Sequence, residues 1–316
     1  MKVLNFGSLN IDYVYEVDHF VRAKETTDSL QMNVFCGGKG LNQSIALSKS
    51  GAAVWHAGAV GENDSDMLLE QLSSAGVKTE FVKKKPGSSG HAIIQKDRNG
   101  QNSILLYGGA NHQISKTDID VTLQHFEKGD YLILQNEINE IPYIMEQAHK
   151  IGMKIVFNPS PMNKKVMGYP LNLVDYFMLN EVEALEICHM WADKDELLKA
   201  ERISLPADSE WNEKVIQDII HKLGDFFPQA KIVLTLGEKG SIYKDQDRIL
   251  HQSIYKVKAV DTTAAGDTFT GYFIGGIIRG EEVEKALDNA SKASAIAVMR
   301  LGAGPSIPTR EEVMAM

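Results

Sequence analysis

Apolar and polar positions alternate between two periods along most of the chain. Val3–Phe6 is a short apolar run closed by Gly7, the pattern of a buried strand with a turn at its C-terminal end. Tyr13–Val17 and Leu30–Phe35 alternate loosely and predict strands outside the main sheet. Lys39–Ser50 carries Leu41, Ile45 and Leu47 at helical spacing with Gly51 behind, which predicts a helix with a glycine stop. Val54–Ala59 predicts a strand, and Ser65–Ser74 a helix before Gly76. Ala92–Gln95 and Ser103–Tyr107 flank Asn99-Gly100, a strong hairpin signal, so a small β-rich flap is expected beside the main sheet.

Beyond residue 129 the alternation is cleaner. Tyr131–Leu134, Lys154–Phe157, Tyr176–Leu179 and Lys231–Leu234 read as strands, with helices at Ile141–Lys150 and Val215–Leu223. Repeated βα units predict an α/β fold: a Rossmann-like three-layer αβα arrangement around a mostly parallel sheet. Such sheets bind ligands at the carboxyl ends of their strands, where Gly7, Glu137, Asn180 and Gly237 should gather. Residues 189–211, HMWADKDELLKAERISLPADSEW, are charged and interrupted by Pro206, and predict a solvated helix and loop on the surface.

Composition narrows the function classes. A chain of 316 residues allows one large domain with an appendage or two modest ones. Its net charge of −9 disfavours non-specific nucleic-acid binding, so an anionic ligand would need local donors. Cys36 and Cys188 show no metal-ligand spacing and read as thiols in a reducing compartment. The N-terminus lacks the apolar core of a signal peptide, and no apolar stretch is long enough to span a membrane; a cytoplasmic location is the expectation. The familiar nucleotide motifs are missing: there is no GxxxxGK[ST], and the first strand leads into GSLNID rather than GxGxxG, which disfavours a nicotinamide-dependent oxidoreductase. Neither HExxH nor GxSxG occurs.

Four stretches carry candidate chemistry. In GSLNID, Asn10 and Asp12 offer an amide and a carboxylate to hydroxyls, although both residue types also favour turns. In CGGKGLNQS, Gly37 and Gly38 permit close backbone approach, and Lys39 and Asn42 lie in the first turn of a helix whose N–H groups suit an oxygen or an anion. In LNEVEA, Asn180 and Glu183 suit a hydrated Mg²⁺, or equally a helix cap and its partner. In DTTAAGDTFTG, the small residues Ala264, Ala265 and Gly266 leave helix-start N–H groups open to a transferring phosphoryl group, and Asp267 is placed either to cap the helix or to accept a proton.

Together these motifs resemble the ribokinase family of carbohydrate kinases, also called the PfkB family. GGKGLNQ and DTTAAGDTFTG match its two signatures, and NPSP, LNEVEA, TLGEKG and GAGPSIP follow in the family's order over nearly the whole chain. The resemblance implies one kinase domain over 1–316 with a β lid built from about 13–35 and 90–108, and transfer of the γ-phosphoryl of ATP to a sugar hydroxyl. It implies Asp267 as the base and Ala264, Ala265 and Gly266 as an anion hole. Asn10, Asp12, Gly38, Lys39, Asn42 and Glu137 match sugar-binding positions. Asn180, Thr235, Gly237, Gly240 and Gly266 match the ATP side, as does Ser291, which stands where many members carry Asn or His. Glu183 matches the Mg²⁺ region. Asp261, Thr263, Ala297, Arg300, Gly302 and Ser306 match a monovalent-cation loop, K⁺ being usual, and the lids of two subunits would interlock as a homodimer. D-Ribose is the leading acceptor, because NID, GGKGLN and AAGDTF follow the ribokinase version. Fructose, 2-keto-3-deoxygluconate and nucleosides including pseudouridine are alternatives, as is a sugar-binding relative without catalysis, against which Asp267 argues.

Overall fold

The computed structural model describes residues 1–192 and 211–316. In chain order the first strands are β1 (Val3–Phe6), β2 (Asn10–Glu16) and β3 (Gln31–Gly37), followed by helix α1 (Lys39–Lys49). Next come β4 (Val54–Gly61), α2 (Asp66–Ser74), β5 (Lys78–Lys85), β6 (Gly90–Lys96), β7 (Asn102–Tyr107) and α3 (Lys116–Leu123). The cleaner βα alternation then supplies β8 (Tyr131–Gln135), α4 (Ile141–Ile151), β9 (Lys154–Asn158), β10 (Tyr176–Asn180) and α5 (Glu181–Ala192). The last part holds α6 (Glu213–Phe226), β11 (Lys231–Thr235), β12 (Ser241–Lys244), β13 (Ile249–Gln252), α7 (Ala265–Ile278), α8 (Val283–Val298) and α9 (Arg310–Ala315).

The main sheet runs β13-β12-β11-β10-β9-β8-β1-β4-β5, parallel from β11 to β5, with β12 and β13 antiparallel at one edge. Its central strands are buried on both faces, as their near-continuous apolar runs require. One apolar cluster packs Ile144, Ile219 and Leu223 of α4 and α6 on one face; the other packs Leu41, Ile45, Phe273 and Leu287 of α1, α7 and α8 on the opposite face. This is the predicted three-layer αβα arrangement.

A second sheet of four strands runs β3-β2-β6-β7 and stands apart from the first. The expected hairpin is β6–β7, and the early strands join it through a parallel β2–β6 pairing. Its strands fall in the stretches expected to form a lid, about 13–35 and 90–108, with β2 starting earlier, at Asn10, and β3 running on to Gly37. Sequence reading passed over β5, α3, β12, β13 and α9. Residues 193–210, most of the charged stretch, lie outside the described residues; residues 189–192 complete α5. Among the described residues, no helix is long and apolar enough to cross a membrane.

Candidate active site

The start of α7 shows that Asp267 does not cap its helix. Ala264 occupies the cap position with a left-handed φ of 60°, and no side chain caps the helix. Asp267 lies two residues inside α7, and its carboxylate turns away from its own helix. Oδ1 accepts from Gln43 Nε2 at 2.9 Å and Oδ2 from Asn42 Nδ2 at 3.1 Å, both on α1. The carboxylate is buried, with 8% exposure, and lines a cavity of about 240 Å³ with Lys39, Asn180, Glu183 and Gly266. A hydrogen-bond acceptor held by two donors, aimed at a cavity and free of capping duty, is placed to take a proton.

Of the small residues before it, Gly266 has open space where a Cβ would stand, and it borders both this cavity and a second of about 740 Å³. The Ala265 N–H instead closes a turn on Thr262 O at 3.2 Å, so the expected set of three open donors is narrower in this arrangement.

Three charged groups meet beside Asp267. The Lys39 ammonium is buried, which opposes its charge, but Asp267, Glu137 and Glu183 surround it and hold its pKa above the usual lysine value. Burial pushes the carboxyls of Glu137 and Glu183 up. Glu137 Oε2 accepts the Lys39 backbone N–H at 2.9 Å and the Ser8 hydroxyl. Ser8 also takes the next two N–H groups of α1: Gly40 N at Oγ (3.2 Å) and Leu41 N at its carbonyl (3.0 Å). The N–H groups read as open to a ligand at the start of α1 are therefore already satisfied from within the chain. Gly38, at φ 94°, makes the turn that allows this.

Asn10 and Asp12 project from β2 beside this cluster. Asn10 Oδ1 accepts from Asn111 Nδ2 at 2.7 Å, and Asn111 Oδ1 accepts the Leu9 N–H at 3.0 Å. Burial, and then the neighbouring charge of Glu137, raise the Asp12 pKa to about 7.

Asn180 and Glu183 form a reciprocal cap at the start of α5. Glu183 N donates to Asn180 Oδ1 at 2.9 Å, and Asn180 N donates to Glu183 Oε2 at 2.9 Å. The capping alternative is thus realised, yet the pair also lines the cavity, so the two uses coexist.

The larger cavity lies beyond Gly266. Thr235, Gly237 and Gly240 border it from the turn after β11, and Ser291, Ser294 and Val298 from α8. Gly240 has φ 91°, and a Cβ there would stand 2.1 Å from Gln252 O, so only glycine fits. Ser291 donates to Ser253 O at 3.1 Å.

Asp261 ties two loops behind α7. Its Oδ1 accepts Thr263 N at 2.9 Å and Thr263 Oγ1 at 2.6 Å, and its Oδ2 accepts Gly302 N at 3.0 Å. Burial would raise its pKa, but these donors prevail and lower it. Arg300 N donates to Ala297 O at 3.0 Å, at the end of α8, and Ser306 Oγ to Ala303 O at 2.7 Å, so both positions are bonded to residues three before them.

Sequence reading missed the amides under the site: Asn5, Gln43, Asn111, Gln135 and Asn158. The signal available was an amide inside an otherwise apolar strand, as in VLNF and YLILQ. Asn158 links the two halves, accepting from Gln43 Nε2 at 3.4 Å and donating to Glu183 Oε2 at 3.2 Å.

Comparison with known proteins places the chain in a family. The chain is 31% identical to a ribokinase of Staphylococcus aureus, over 99% of this chain and 98% of that one. It is 30% identical to a deoxyribokinase of Salmonella typhi, over 99% and 97%. A ribokinase of Cryptococcus neoformans solved with ADP superposes with a TM-score of 0.85, at 30% identity over 99% of this chain and 98% of that one. An Arabidopsis thaliana ribokinase solved with ribose and ATP superposes with a TM-score of 0.81, at 25% identity over 99% and 97%. The profile of the pfkB family carbohydrate kinases matches residues 1–310, and the chain belongs to that family: it is a carbohydrate kinase, a phosphotransferase with an alcohol acceptor.

Proposed function

We propose that the enzyme phosphorylates D-ribose at its 5-hydroxyl, giving D-ribose 5-phosphate and ADP, with Asp267 as general base. The observation that carries this reading is the Asp267 carboxylate, held by Asn42 and Gln43 against the smaller cavity, next to Gly266, which borders both cavities. The larger cavity takes the nucleotide against Thr235, Gly237, Gly240 and Ser291, and Asn180 stands on the phosphate side. The sugar lies against Asn10, Asp12, Gly38, Lys39, Asn42 and Glu137, whose amides and carboxylates replace water around its hydroxyls. As the acceptor oxygen attacks phosphorus, its proton passes to Asp267, the bond between the γ-phosphorus and the ADP oxygen breaks, and the backbone N–H groups of Ala264 and Gly266 meet the charge on the transferring group, that of Ala265 being held by Thr262 O. Lys39, ringed by carboxylates and charged, adds to that field.

A Mg²⁺ ion is expected with the ATP. Each Glu183 oxygen already accepts N–H donors, which fits a hydrated ion reached through its waters and not a bare one. When bound, it neutralises phosphate charge. The loops joined by Asp261 fit a monovalent cation, with Thr263, Ala297, Arg300, Gly302 and Ser306 contributing mainly carbonyls. In this reading the chain works as one kinase unit whose four-stranded sheet closes over the sugar and pairs with a second copy. The similarity to deoxyribokinases favours one second reading, 2-deoxyribose as acceptor.

The test is ADP release with Mg-ATP and ribose, 2-deoxyribose, fructose, 2-keto-3-deoxygluconate, adenosine or pseudouridine, in K⁺ or in Na⁺ alone. Fastest turnover on ribose, raised by K⁺, is expected; faster turnover on another acceptor overturns the substrate. Asp267→Asn should lower kcat by at least about a hundredfold, the usual worth of a general base. A kcat near wild type would remove Asp267 from the chemistry.

A further inference from the structure

Beneath Asp267 lies a chain of amides that touches neither cavity. Asn5 sits in the middle of β1, Gln135 at the end of β8 and Gln43 in α1; Asn5 and Gln43 have no exposure and Gln135 has 1%. Leucine or valine would suit these strand positions better, because a buried amide must find partners for every donor and acceptor. This chain succeeds at all but one atom: Gln135 Oε1 is buried and unpartnered.

The hydrogen bonds have a single direction, fixed at the Asn5 end by backbone carbonyls, which only accept. Gly40 O receives Asn5 Nδ2 at 2.7 Å, so Asn5 must present Oδ1 to β8. That oxygen accepts Gln135 Nε2 at 3.0 Å, and the same Nε2 donates to Gln43 Oε1 at 2.7 Å. With its oxygen held there, Gln43 can turn only its NH₂ to Asp267, at 2.9 Å. A second branch from Asn5 agrees. Gly7 O faces His56 Nε2 at 3.2 Å, so that nitrogen carries hydrogen and Nδ1 accepts from Ser44 Oγ, which in turn accepts Asn5 Nδ2 at 2.8 Å. Reversing any one amide would set two oxygens or two NH₂ groups face to face.

We propose that Gln135 and Asn5 are positioning residues: they lock the Gln43 amide so that it offers a donor, never an acceptor, to the catalytic carboxylate. The proposal rests on Asp267 being the base. Gln43 fixes the oxygen orientation from which Asp267 collects the acceptor's proton. Gln135 sets Gln43 from within the sheet, where neither sugar nor ATP reaches.

The experiment measures kcat and both KM values, with Mg-ATP and whichever of ribose, 2-deoxyribose or fructose turns over fastest, for Gln135→Met, Gln43→Asn, Asp267→Asn and the Gln135→Met/Asp267→Asn double variant. Gln135→Met keeps the length of the side chain and removes its donors. Its kcat should fall about tenfold, the scale of one hydrogen bond to a charged group. The KM for sugar and for ATP should stay within about twofold, a split that general loosening of the site would not produce. In the Asp267→Asn background the same change should cost nothing further. Gln43→Asn, which keeps the amide but withdraws it by one methylene, should show the same split; it carries the test if Gln135→Met does not fold. A folded Gln135→Met enzyme with wild-type kcat, or an equal further loss in the Asp267→Asn background, overturns the proposal. A nearly active Asp267→Asn enzyme would instead overturn the base assignment on which it rests.

Discussion

At the scale of single residues, the site shows how burial tunes chemistry that spacing alone names only in outline. The sequence motif picks out Asp12 but says nothing about its charge. In the fold, burial and the nearby Glu137 raise its pKa to about 7 from an ordinary carboxylate value of 3.8. A carboxylate accepts from two sugar hydroxyls, whereas the protonated form gives up part of that capacity. The KM for sugar should therefore fall as pH rises through about 7, and Asp12→Asn should raise KM and flatten that dependence. Initial rates across about pH 6 to 8, with kcat and KM fitted separately, check this; a KM independent of pH in the wild type would count against it. Asn111 shows what stays hidden from a sequence reader. It holds Asn10 and the Leu9 backbone from about a hundred residues away, inside a short 3₁₀ turn at Gly109–His112 that no periodicity marks.

At the scale of elements, the site depends on how closely α1 and α7 approach. Gly271 makes that approach possible: a Cβ there would stand 2.3 Å from Ala46 Cβ and 2.7 Å from Leu47 N. One turn earlier on the two helices lie Asp267 and the Asn42–Gln43 pair. Gly271→Ala should therefore lower stability by about 1–3 kcal/mol, the range for overpacking a tight contact. It should also lower kcat, because relieving the clash parts α1 from α7 and so draws Asp267 and its α1 donors apart. Denaturant unfolding beside kinetics checks both, and an unchanged midpoint would mean the helices part without cost. The elements legible in the sequence were those with clear periods, such as β8, α4, β9 and α1, and the Asn-Gly turn exposed the β6–β7 hairpin. The missed ones have physical reasons. KTEFVKKK in β5 is an edge strand whose lysines blunt its free side, so it lacks a buried alternation. SIYK and ILHQ in β12 and β13 are short and lie at the other edge. α3 and α9 did carry a signal, since Ser115–Asp118 and Thr309–Glu312 are capping boxes.

At the scale of the molecule, the four-stranded sheet asks for something to cover it. Every residue of β7 is exposed, and β3 is exposed along most of its length. Register places Phe35, Ala92 and Leu106 in one cross-strand row with Asp12, so the apolar face of this sheet runs outward from the proposed sugar position. Exposed Ile104, two residues along β7, lies on the same face. Folding down on its own site, or packing against the same sheet of a second copy as proposed above, would take this face out of water. A second copy presents the same face, which makes a symmetric pairing self-complementary. Leu106→Glu would bury a charge in that contact, at a cost of several kcal/mol, ~100-fold or more in the dimer dissociation constant. Sedimentation velocity over a range of concentrations should show a dimer for the wild type and a monomer for Leu106→Glu, while the unfolding midpoint of the variant stays close to wild type, because its side chain is already exposed in the single chain. Because the same face reaches Asp12, separating the lids should also raise the KM for sugar and leave that for ATP alone. A wild type that sediments as a monomer, or a Leu106→Glu dimer, would show that the lid closes on its own chain and that assembly plays no part in holding the sugar.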